Sequence, residues 1–177
     1  KLVEIDDKNI VENVRQQLLK DLPGDREFTE KFQEAQFKGL EKRAKYVLEK
    51  IEYNLIKDQR EYILGSGKEV QLEHIIPLTI NTKKSVRELG NWLKYLGRGS
   101  SEKHKDYVWR IGNLTILAQR LNMIASNNPF QSKLKEYKKS NIKMNKIIVD
   151  NYKRFKFSEV EKRSKELAKK AVKIWGF

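Results

Sequence analysis

Apolar residues recur at helical spacing at both ends of the chain, whereas the middle of the chain alternates and then becomes polar. A first apolar stripe runs from Ile10 to Leu19 and ends before Pro23-Gly24, which breaks a helix. A second stripe runs from Leu40 to Leu55 with a period of about 3.6 residues. We expect two helices here, each burying its apolar face in the core.

The pattern changes at Gly65-Ser66-Gly67, a turn signal. Val70 and Leu72 then alternate with polar residues, which predicts a short strand that ends at Glu73-His74. Residues 78–106 are polar and glycine-bearing, and we expect a long inserted loop with a short helix near Val86–Leu96. A loop of that length inside a compact domain is often functional.

A second strand of a hairpin is predicted from Val108 to Leu117, followed by a helix from Ala118 to Ser126. Three more amphipathic segments complete the chain: Phe130 to Tyr137, Ile142 to Tyr152 and Ser158 to Trp175. The predicted fold class is mainly α with a small β-hairpin.

The length of 177 residues suits a single domain. We divide residues 1–177 into a helical part (1–64), a central ββα part (65–127, with the inserted loop 78–106) and C-terminal helices (128–177). Because the chain starts at Lys1 and not at Met, we expect it to be a piece of a longer protein.

The net charge is strongly positive, which favours binding to polyanions. Lys and Arg number 38 against 24 Asp and Glu, so the formal net charge is +14. A surface this basic attracts the phosphates of nucleic acid, although a lysine-rich soluble protein would have the same composition. There is no cysteine, which excludes disulfides, thiolate metal sites and cysteine catalysis. With no signal peptide and no apolar run of the ~20 residues that span a membrane, we expect a cytoplasmic protein without a membrane partner.

The strand-end pair Glu73-His74 carries the first chemical signal. Glu73 offers a hard oxygen to a divalent cation, and His74, on the opposite side of the strand, can activate a water molecule because imidazole titrates near neutral pH. Alone, the pair is weak evidence for catalysis, because a surface glutamate beside a half-buried histidine is the more common explanation of such a pair.

Two asparagines strengthen the catalytic interpretation. Asn113 follows Gly112, and Asn122 lies nine residues later on the predicted helix. A strand, a helix and a strand-end Glu-His can close around one cation, held by Glu73 and the side-chain oxygen of Asn122. All-oxygen ligands favour Mg²⁺ or Mn²⁺ over Zn²⁺.

These motifs resemble a known family. Leu72-Glu73-His74-Ile75-Ile76-Pro77, Gly112-Asn113-Leu114-Thr115-Ile116-Leu117 and Asn122 are similar to the His-Me finger (ββα-metal) core of HNH endonucleases. More narrowly, the chain resembles the HNH domain at the C-terminal end of GmrSD-type modification-dependent restriction enzymes, with relatives in phage-defence proteins. The resemblance covers roughly residues 30–177, and it implies a ββα-metal core embedded in a helical domain.

The resemblance implies a role for each matching residue. His74 would be the general base, Glu73 and Asn122 the metal ligands, and Asn113 the residue that steadies the loop bearing His74. Arg110 and Lys133 would clamp phosphates. The reaction implied is hydrolysis that leaves a 5′-phosphate and a 3′-hydroxyl. A sensor or nucleotide-hydrolysing domain N-terminal to this one is the implied partner.

Several residues have two interpretations. His104 lies in a polar segment that we expect to be a solvated loop. The three tryptophans suit the core better than base stacking; they are Trp92, Trp109 and Trp175. A lysine-rich stretch is either an ordinary solvated face or a track for the DNA backbone; it comprises Lys133, Lys135, Lys138, Lys139, Lys143 and Lys146.

The leading hypothesis is therefore a metal-dependent DNA endonuclease or nickase that serves as the effector of a restriction or phage-defence system. Two alternatives remain open on the sequence: a nucleic-acid-binding domain without catalysis, and an RNase that uses the same site. The departure from compact HNH proteins is the 39-residue separation of His74 from Asn113, which requires an insertion.

Overall fold

Helices surround a two-stranded antiparallel sheet in this computed structural model, which describes residues 10–56, 69–81 and 91–176. The elements in chain order are α1 (Ile10–Asp21), α2 (Asp25–Glu34), α3 (Glu41–Leu55), β1 (Val70–His74), α4 (Trp92–Leu96), α5 (Ser100–Tyr107), a 3₁₀ turn (Ile111–Asn113), β2 (Leu114–Ala118), α6 (Gln119–Ala125), α7 (Phe130–Lys139), α8 (Lys143–Asn151) and α9 (Phe157–Trp175). The predicted fold class, mainly α with a small antiparallel β pair, is confirmed. The turn predicted at Gly65-Ser66-Gly67 lies outside the described residues.

The sheet pairs β1 with β2 in a register that sets Glu73 opposite Thr115 and His74 opposite Leu114. Because side chains alternate along a strand, Glu73 and His74 leave β1 on opposite faces. The strands are joined by the long segment 75–113, so the pair is not a tight hairpin. β2 starts only at Leu114, later than predicted, because the preceding residues form the 3₁₀ turn.

Two hydrophobic clusters lie against the sheet. One is built on Ile75, Ile76 and Leu117 and receives side chains from the helices α4, α7, α8 and α9. The other is built on Leu114 and Ile116 and receives side chains from α3 and α9. Together the clusters hold the end of β1 between packed helices on both sides.

The helices that frame the sheet follow their apolar stripes. In α3 the buried Ala44, Leu48 and Ile51 recur at helical spacing, and in α9 the buried Val160, Leu167 and other small or apolar residues do the same. No helix in the described ranges combines the length and the apolar character that a membrane span requires.

Two expectations from the sequence are wrong. The stripe of α1 was expected in the core, yet Val11 is 82% exposed and Leu18 is 60% exposed. Helical periodicity identifies an apolar face but not what covers it. The segment 78–106 was expected to loop out, but Trp92 and Leu96 of α4 are buried in the first cluster. The short helix predicted near Val86–Leu96 is found only as Trp92–Leu96, since residues 82–90 lie outside the described part.

Candidate active site

Glu73 and His74 end β1 in the interior of the protein. Their exposed fractions are only 5% and 9%. The next residues, Ile75 and Ile76, are fully buried and anchor the chain in the first hydrophobic cluster. The end of the strand is therefore anchored by the apolar residues that follow it, because the sequence changes here from an alternating pattern to a continuous apolar run.

The carboxylate of Glu73 is held by two donors from α7. Lys133 Nζ and Tyr137 OH lie 2.7 Å and 2.9 Å from the same oxygen, Oε1. The two donors are four residues apart and so share one face of the helix. Neither donor contacts the second carboxylate oxygen, Oε2.

The surroundings of this pair shift two pKa values in the direction that burial predicts. Burial lowers the pKa of Lys133, and the carboxylate of Glu73 opposes that shift. Burial and the negative charge of Glu73 raise the pKa of the Tyr137 hydroxyl well above its usual value. Tyr137 therefore remains a hydrogen-bond donor at physiological pH.

The prediction that Lys133 clamps a DNA phosphate from a basic surface is wrong for this residue. Its exposed fraction is 0%, and Nζ also donates to the backbone oxygen of His74 at 2.7 Å. A buried ammonium is stable only when its donors are satisfied by the protein. Lys133 belongs to the interior of the site and not to its DNA-facing surface.

The ring of His74 packs edge-on against Trp109, with 4.5 Å between the ring centroids. Its Nε2 is buried and has no hydrogen-bond partner among the described residues. Burial, followed by the nearby charges of Lys133 and His104, lowers the pKa of His74 to about 3. The imidazole is therefore neutral at physiological pH.

The loop after His74 is fastened by the side chain of Asn113. Its Oδ1 accepts the N–H of Ile76 at 2.8 Å, while Nδ2 donates to the oxygens of Ile76 and Val108, both at 2.9 Å. The backbone of Asn113 also accepts the N–H of Ile75 at 2.9 Å. These bonds tie the loop after His74 to the turn that precedes β2.

His104 was expected in a solvated loop, and that expectation is wrong. It lies on α5 with an exposed fraction of 9%, and its Nε2 is 2.7 Å from the backbone oxygen of Pro77. Burial lowers its pKa, and in the neutral ring Nε2 must carry the hydrogen to donate to a carbonyl. The inserted segment thus supports the loop that follows His74.

Asn122 of α6 reaches the middle of β1. Its Nδ2 lies 3.3 Å from Gln71 Oε1 and 3.3 Å from the backbone oxygen of Leu72, the residue before Glu73. Both contacts use the amide nitrogen, so neither uses Oδ1. Gln71 was not singled out from the sequence, although its position two residues before Glu73 places it on the same face of the strand.

The chemistry of the donor set fits a hard divalent cation. Glu73 Oε2 and Asn122 Oδ1 are oxygens of the kinds that Mg²⁺ accepts, and Mg²⁺ usually keeps several water molecules and substrate oxygens in its shell. Within the described ranges no three His, Cys, Asp or Glu side chains form a cluster that could hold a metal ion. A cation here would therefore depend on water and on substrate phosphate for its remaining ligands.

The other residues predicted to bind nucleic acid lie outside this buried centre. Arg110 is half-buried, its guanidinium lies 4.5 Å from the ring centroid of Tyr107, and its Nε donates to the backbone oxygen of Asp106. Lys138 and Lys139 are exposed at the end of α7, where Lys139 pairs with Glu136 at 2.7 Å. These three are accessible to a phosphate backbone.

The last helix braces the turn that carries Asn113, which the sequence did not predict. Arg163 Nη1 donates to the backbone oxygens of Gly112 and Leu114 at 2.8 Å and 2.7 Å. Ser164 Oγ accepts the N–H of Gly112 at 3.1 Å. Burial lowers the pKa of Arg163 to about 10, a value that still leaves the guanidinium charged at neutral pH.

A comparison with known protein families identifies a match. The family model described as GmrSD restriction endonucleases, C-terminal domain, matches residues 22–170. This range includes α2 to α8 and most of α9, and with them every residue of the candidate site. No curated protein matches the chain.

Proposed function

The chain belongs to the family of GmrSD restriction endonuclease C-terminal domains, and from this premise we propose that it is a metal-dependent DNA endonuclease with His74 as its general base. The family makes the chain a nuclease domain of restriction systems, with DNA as the substrate. Our proposal adds the metal, the base and the roles of individual residues.

One observation carries the proposal: His74, a neutral histidine with an unpartnered ring nitrogen, is the last residue of β1 and directly follows Glu73. Nε2 of His74 has no hydrogen-bond partner within the described part of the chain, and its pKa is lowered to about 3. A neutral imidazole can accept a proton from water. An anionic phosphodiester bound close by would raise the pKa of His74 and so strengthen the base.

Glu73 and Asn122 would hold the cation, Mg²⁺ or Mn²⁺. When bound, such an ion supplies positive charge to the oxygens of the scissile phosphate. Glu73 would offer Oε2 to the cation, because Lys133 and Tyr137 hold its carboxylate through Oε1. Asn122 contributes a neutral oxygen and is oriented by the contacts of its Nδ2 with β1.

The proposed reaction is hydrolysis in line with the leaving group. His74 takes a proton from water, and the water oxygen forms a bond to phosphorus while the bond to the 3′ oxygen breaks. The 3′ oxygen is protonated from solvent, which leaves a 5′-phosphate and a 3′-hydroxyl. Asn113 holds the peptide of Ile76 and thereby the loop that follows the base.

We further propose that this nuclease is the effector of a restriction or phage-defence system. Arg110, Lys138 and Lys139 would contact the DNA backbone. A sensor or nucleotide-hydrolysing domain would direct cleavage as a partner N-terminal to this domain. Residues 1–177 would act as one nuclease domain, with the ββα part of residues 65–127 at its centre.

Plasmid cleavage tests the proposal. Supercoiled plasmid is incubated with the protein and Mg²⁺ or Mn²⁺, and the nicked and linear forms are measured over time. The wild type should cleave, EDTA should stop the reaction, and His74→Ala and Asn122→Ala should be inactive. Asn151→Ala, at the exposed end of α8, is the matched control for the asparagine and should cleave like the wild type.

The same assay separates the alternatives. Added imidazole should restore part of the activity of His74→Ala, because it can enter the space left by the missing ring. Cleavage by His74→Ala at the wild-type rate would rule out His74 as the base. Salt-sensitive DNA binding without any cleavage would favour a binding domain, and cleavage of RNA alone would favour an RNase.

A further inference from the structure

Lys133 contacts both residues of the Glu73-His74 pair. Its ammonium lies 2.7 Å from the carboxylate oxygen Oε1 of Glu73 and 2.7 Å from the backbone oxygen of His74. The side chain is fully buried, so no DNA phosphate can reach it in this conformation. The lysine therefore serves the interior of the site.

The position of Lys133 on α7 explains how it reaches the strand. It lies three residues after Phe130 and four before Tyr137, both of which are buried in the first hydrophobic cluster. Residues at these spacings share one face of a helix. The helix face that packs on the core thus places the ammonium at the end of β1. Packing of the Phe130 and Tyr137 rings keeps it there.

The two contacts join parts of the site that the strand itself separates. Glu73 and His74 point to opposite faces of β1, so the orientation of the carboxylate does not by itself fix the orientation of the imidazole. Lys133 connects the carboxylate of Glu73 to the peptide of His74. A shift of either residue would lengthen a charge-assisted hydrogen bond in the buried interior, where such bonds are strong.

Tyr137 provides the comparison within the same structure. Its hydroxyl donates to the same oxygen of Glu73 at 2.9 Å but forms no hydrogen bond with His74 in the described part of the chain. Loss of Tyr137 should therefore loosen the carboxylate alone, whereas loss of Lys133 should loosen the carboxylate and the backbone of the base together.

We propose that Lys133 is a positioning residue for the metal-dependent cleavage, an inference that rests on the function proposed above. It fixes the Glu73 carboxylate through Oε1, which keeps Oε2 for a divalent cation. It also fixes the peptide of His74, which keeps the ring in its place against Trp109. Lys133 touches neither the water nor the phosphate.

The test compares Lys133→Met, Tyr137→Phe and Leu48→Ala. Methionine keeps the length and apolar stem of lysine but removes its charge and donors. Leu48 is fully buried on α3 and makes no polar side-chain contact, so Leu48→Ala measures the effect of lost stability alone. Binding of Mn²⁺ is followed by electron paramagnetic resonance, and cleavage of plasmid is measured separately at saturating Mn²⁺.

Lys133→Met should weaken Mn²⁺ binding by roughly 10–100-fold, the usual effect of removing a residue that orients a metal ligand. It should also lower kcat at saturating Mn²⁺ by about tenfold or more. Tyr137→Phe should weaken Mn²⁺ binding less and lower kcat less than Lys133→Met. Leu48→Ala should lower the midpoint of thermal unfolding while the Kd for Mn²⁺ and kcat stay at their wild-type values.

A Lys133→Met protein with the Kd and kcat of Leu48→Ala would overturn the proposal. If Lys133→Met does not fold, the ¹⁵N resonance of the Lys133 ammonium in the wild type replaces it: addition of Mg²⁺ should shift this resonance, and an unchanged resonance under saturating Mg²⁺ overturns the proposal.

The outcomes also separate this inference from the proposed function. A wild type that binds Mn²⁺ in a Lys133-dependent manner but cleaves nothing would refute the nuclease proposal and still support the role of Lys133 at the cation. A wild type that cleaves, together with a Lys133→Met protein that cleaves and binds Mn²⁺ equally well, would refute only the role of Lys133.

Discussion

The side chain of Asn113 pairs with the peptide of Ile76 in the way that a neighbouring strand would. Oδ1 accepts the Ile76 N–H at 2.8 Å, and Nδ2 donates to the Ile76 oxygen at 2.9 Å. β1 has already ended at His74, so these bonds extend the support of the backbone two residues beyond the ladder. One amide thus holds the loop that follows the proposed base.

Asn113→Ala should destabilise the fold and abolish cleavage. The substitution leaves the N–H and oxygen of Ile76 and the oxygen of Val108 without their partner in a buried site. Each unsatisfied buried group costs about 1–3 kcal/mol, so we expect a loss of about 3 kcal/mol or more. Urea unfolding measures this loss. Asn151→Ala is the matched control, and an equal loss in both variants would contradict the role of Asn113.

Gly112→Ala should prevent the turn before β2 from packing on α9. An added Cβ would lie 2.1 Å from the backbone oxygen of Val160 and 2.4 Å from Ser164 Oγ. Backbone cannot move aside as a flexible side chain can, so the turn or the helix must shift, and overpacking typically costs about 1–3 kcal/mol. We expect a lower midpoint of thermal unfolding and a loss of cleavage.

Gly24→Ala serves as the control for Gly112→Ala. Gly24 precedes α2 with an ordinary φ of −61°, and a Cβ there meets no atom within 4 Å. The control should unfold within a few degrees of the wild type. If Gly112→Ala does the same, the close approach of the turn to α9 is not required for the fold.

Much of the fold could be predicted from the sequence because the relevant signals are local. The helix bounds of α6 to α9 follow from the apolar spacing and from the break at Asn128-Pro129. Each of these signals depends only on residues within one or two helical turns of one another. The strand that ends at Glu73-His74 could also be predicted, because the alternation of apolar and polar residues stops where a continuous apolar run begins.

The environment of the site residues could not be predicted in the same way. The sequence predicts Lys133 on the surface, because its partner Glu73 lies 60 positions away in the chain. A signal was present, since Lys133 falls on the same helical face as Phe130 and Tyr137. For His104 no such signal exists: its neighbours in the chain are polar, and its burial depends on the distant carbonyl of Pro77.

Glu52→Ala should loosen the start of α8. The buried carboxylate of Glu52 on α3 accepts the N–H groups of Lys143 and Met144, at 2.6 Å and 3.0 Å. These are first-turn donors without partners inside their own helix, and a negative charge there is favourable. We expect a loss of about 1–3 kcal/mol in chemical unfolding.

The neighbouring variant Glu49→Ala tests whether this loss is specific to the cap. Glu49 lies on the same helix and pairs with Lys45 at 3.7 Å in a partly exposed position. Its removal should cost less than about 1 kcal/mol. Equal losses for the two glutamates would contradict the capping role of Glu52.

The stability of the protein should fall as pH drops below about 6.5, the ordinary pKa of histidine. Burial lowers the pKa of His74 to about 3 in the folded state. The unfolded chain therefore binds a proton at this side chain that the folded protein does not, and the stabilisation present above pH 6.5 is lost as pH falls towards 3. At pH 5 the loss from His74 alone should be about 2 kcal/mol.

His74→Phe isolates this contribution, because phenylalanine keeps a ring beside Trp109 but does not titrate. Urea unfolding at pH 7.5, 6 and 5 should show a shallower pH dependence for His74→Phe than for the wild type. The remaining slope includes the contribution of His104, whose pKa is lowered in the same direction. Identical slopes in the two proteins would show that His74 is not buried as the structure describes.

DNA binding should depend on the exposed lysines at the end of α7 and not on Lys133. Each phosphate contact releases condensed counterions. The logarithm of the binding constant therefore falls linearly with the logarithm of the salt concentration, and each contact contributes about 0.9 to the slope on duplex DNA. Replacing Lys138 and Lys139 with alanine should weaken binding and reduce the salt slope by about 1 per lysine that contacts a phosphate. The measurement is fluorescence anisotropy with a labelled duplex between low and moderate salt, without divalent cations. Lys50→Ala removes the same single charge as Lys138→Ala, but from an exposed position on α3, and should leave the slope unchanged. If Lys50→Ala and Lys138→Ala reduce the slope equally, net charge alone governs binding and the track along α7 has no special role.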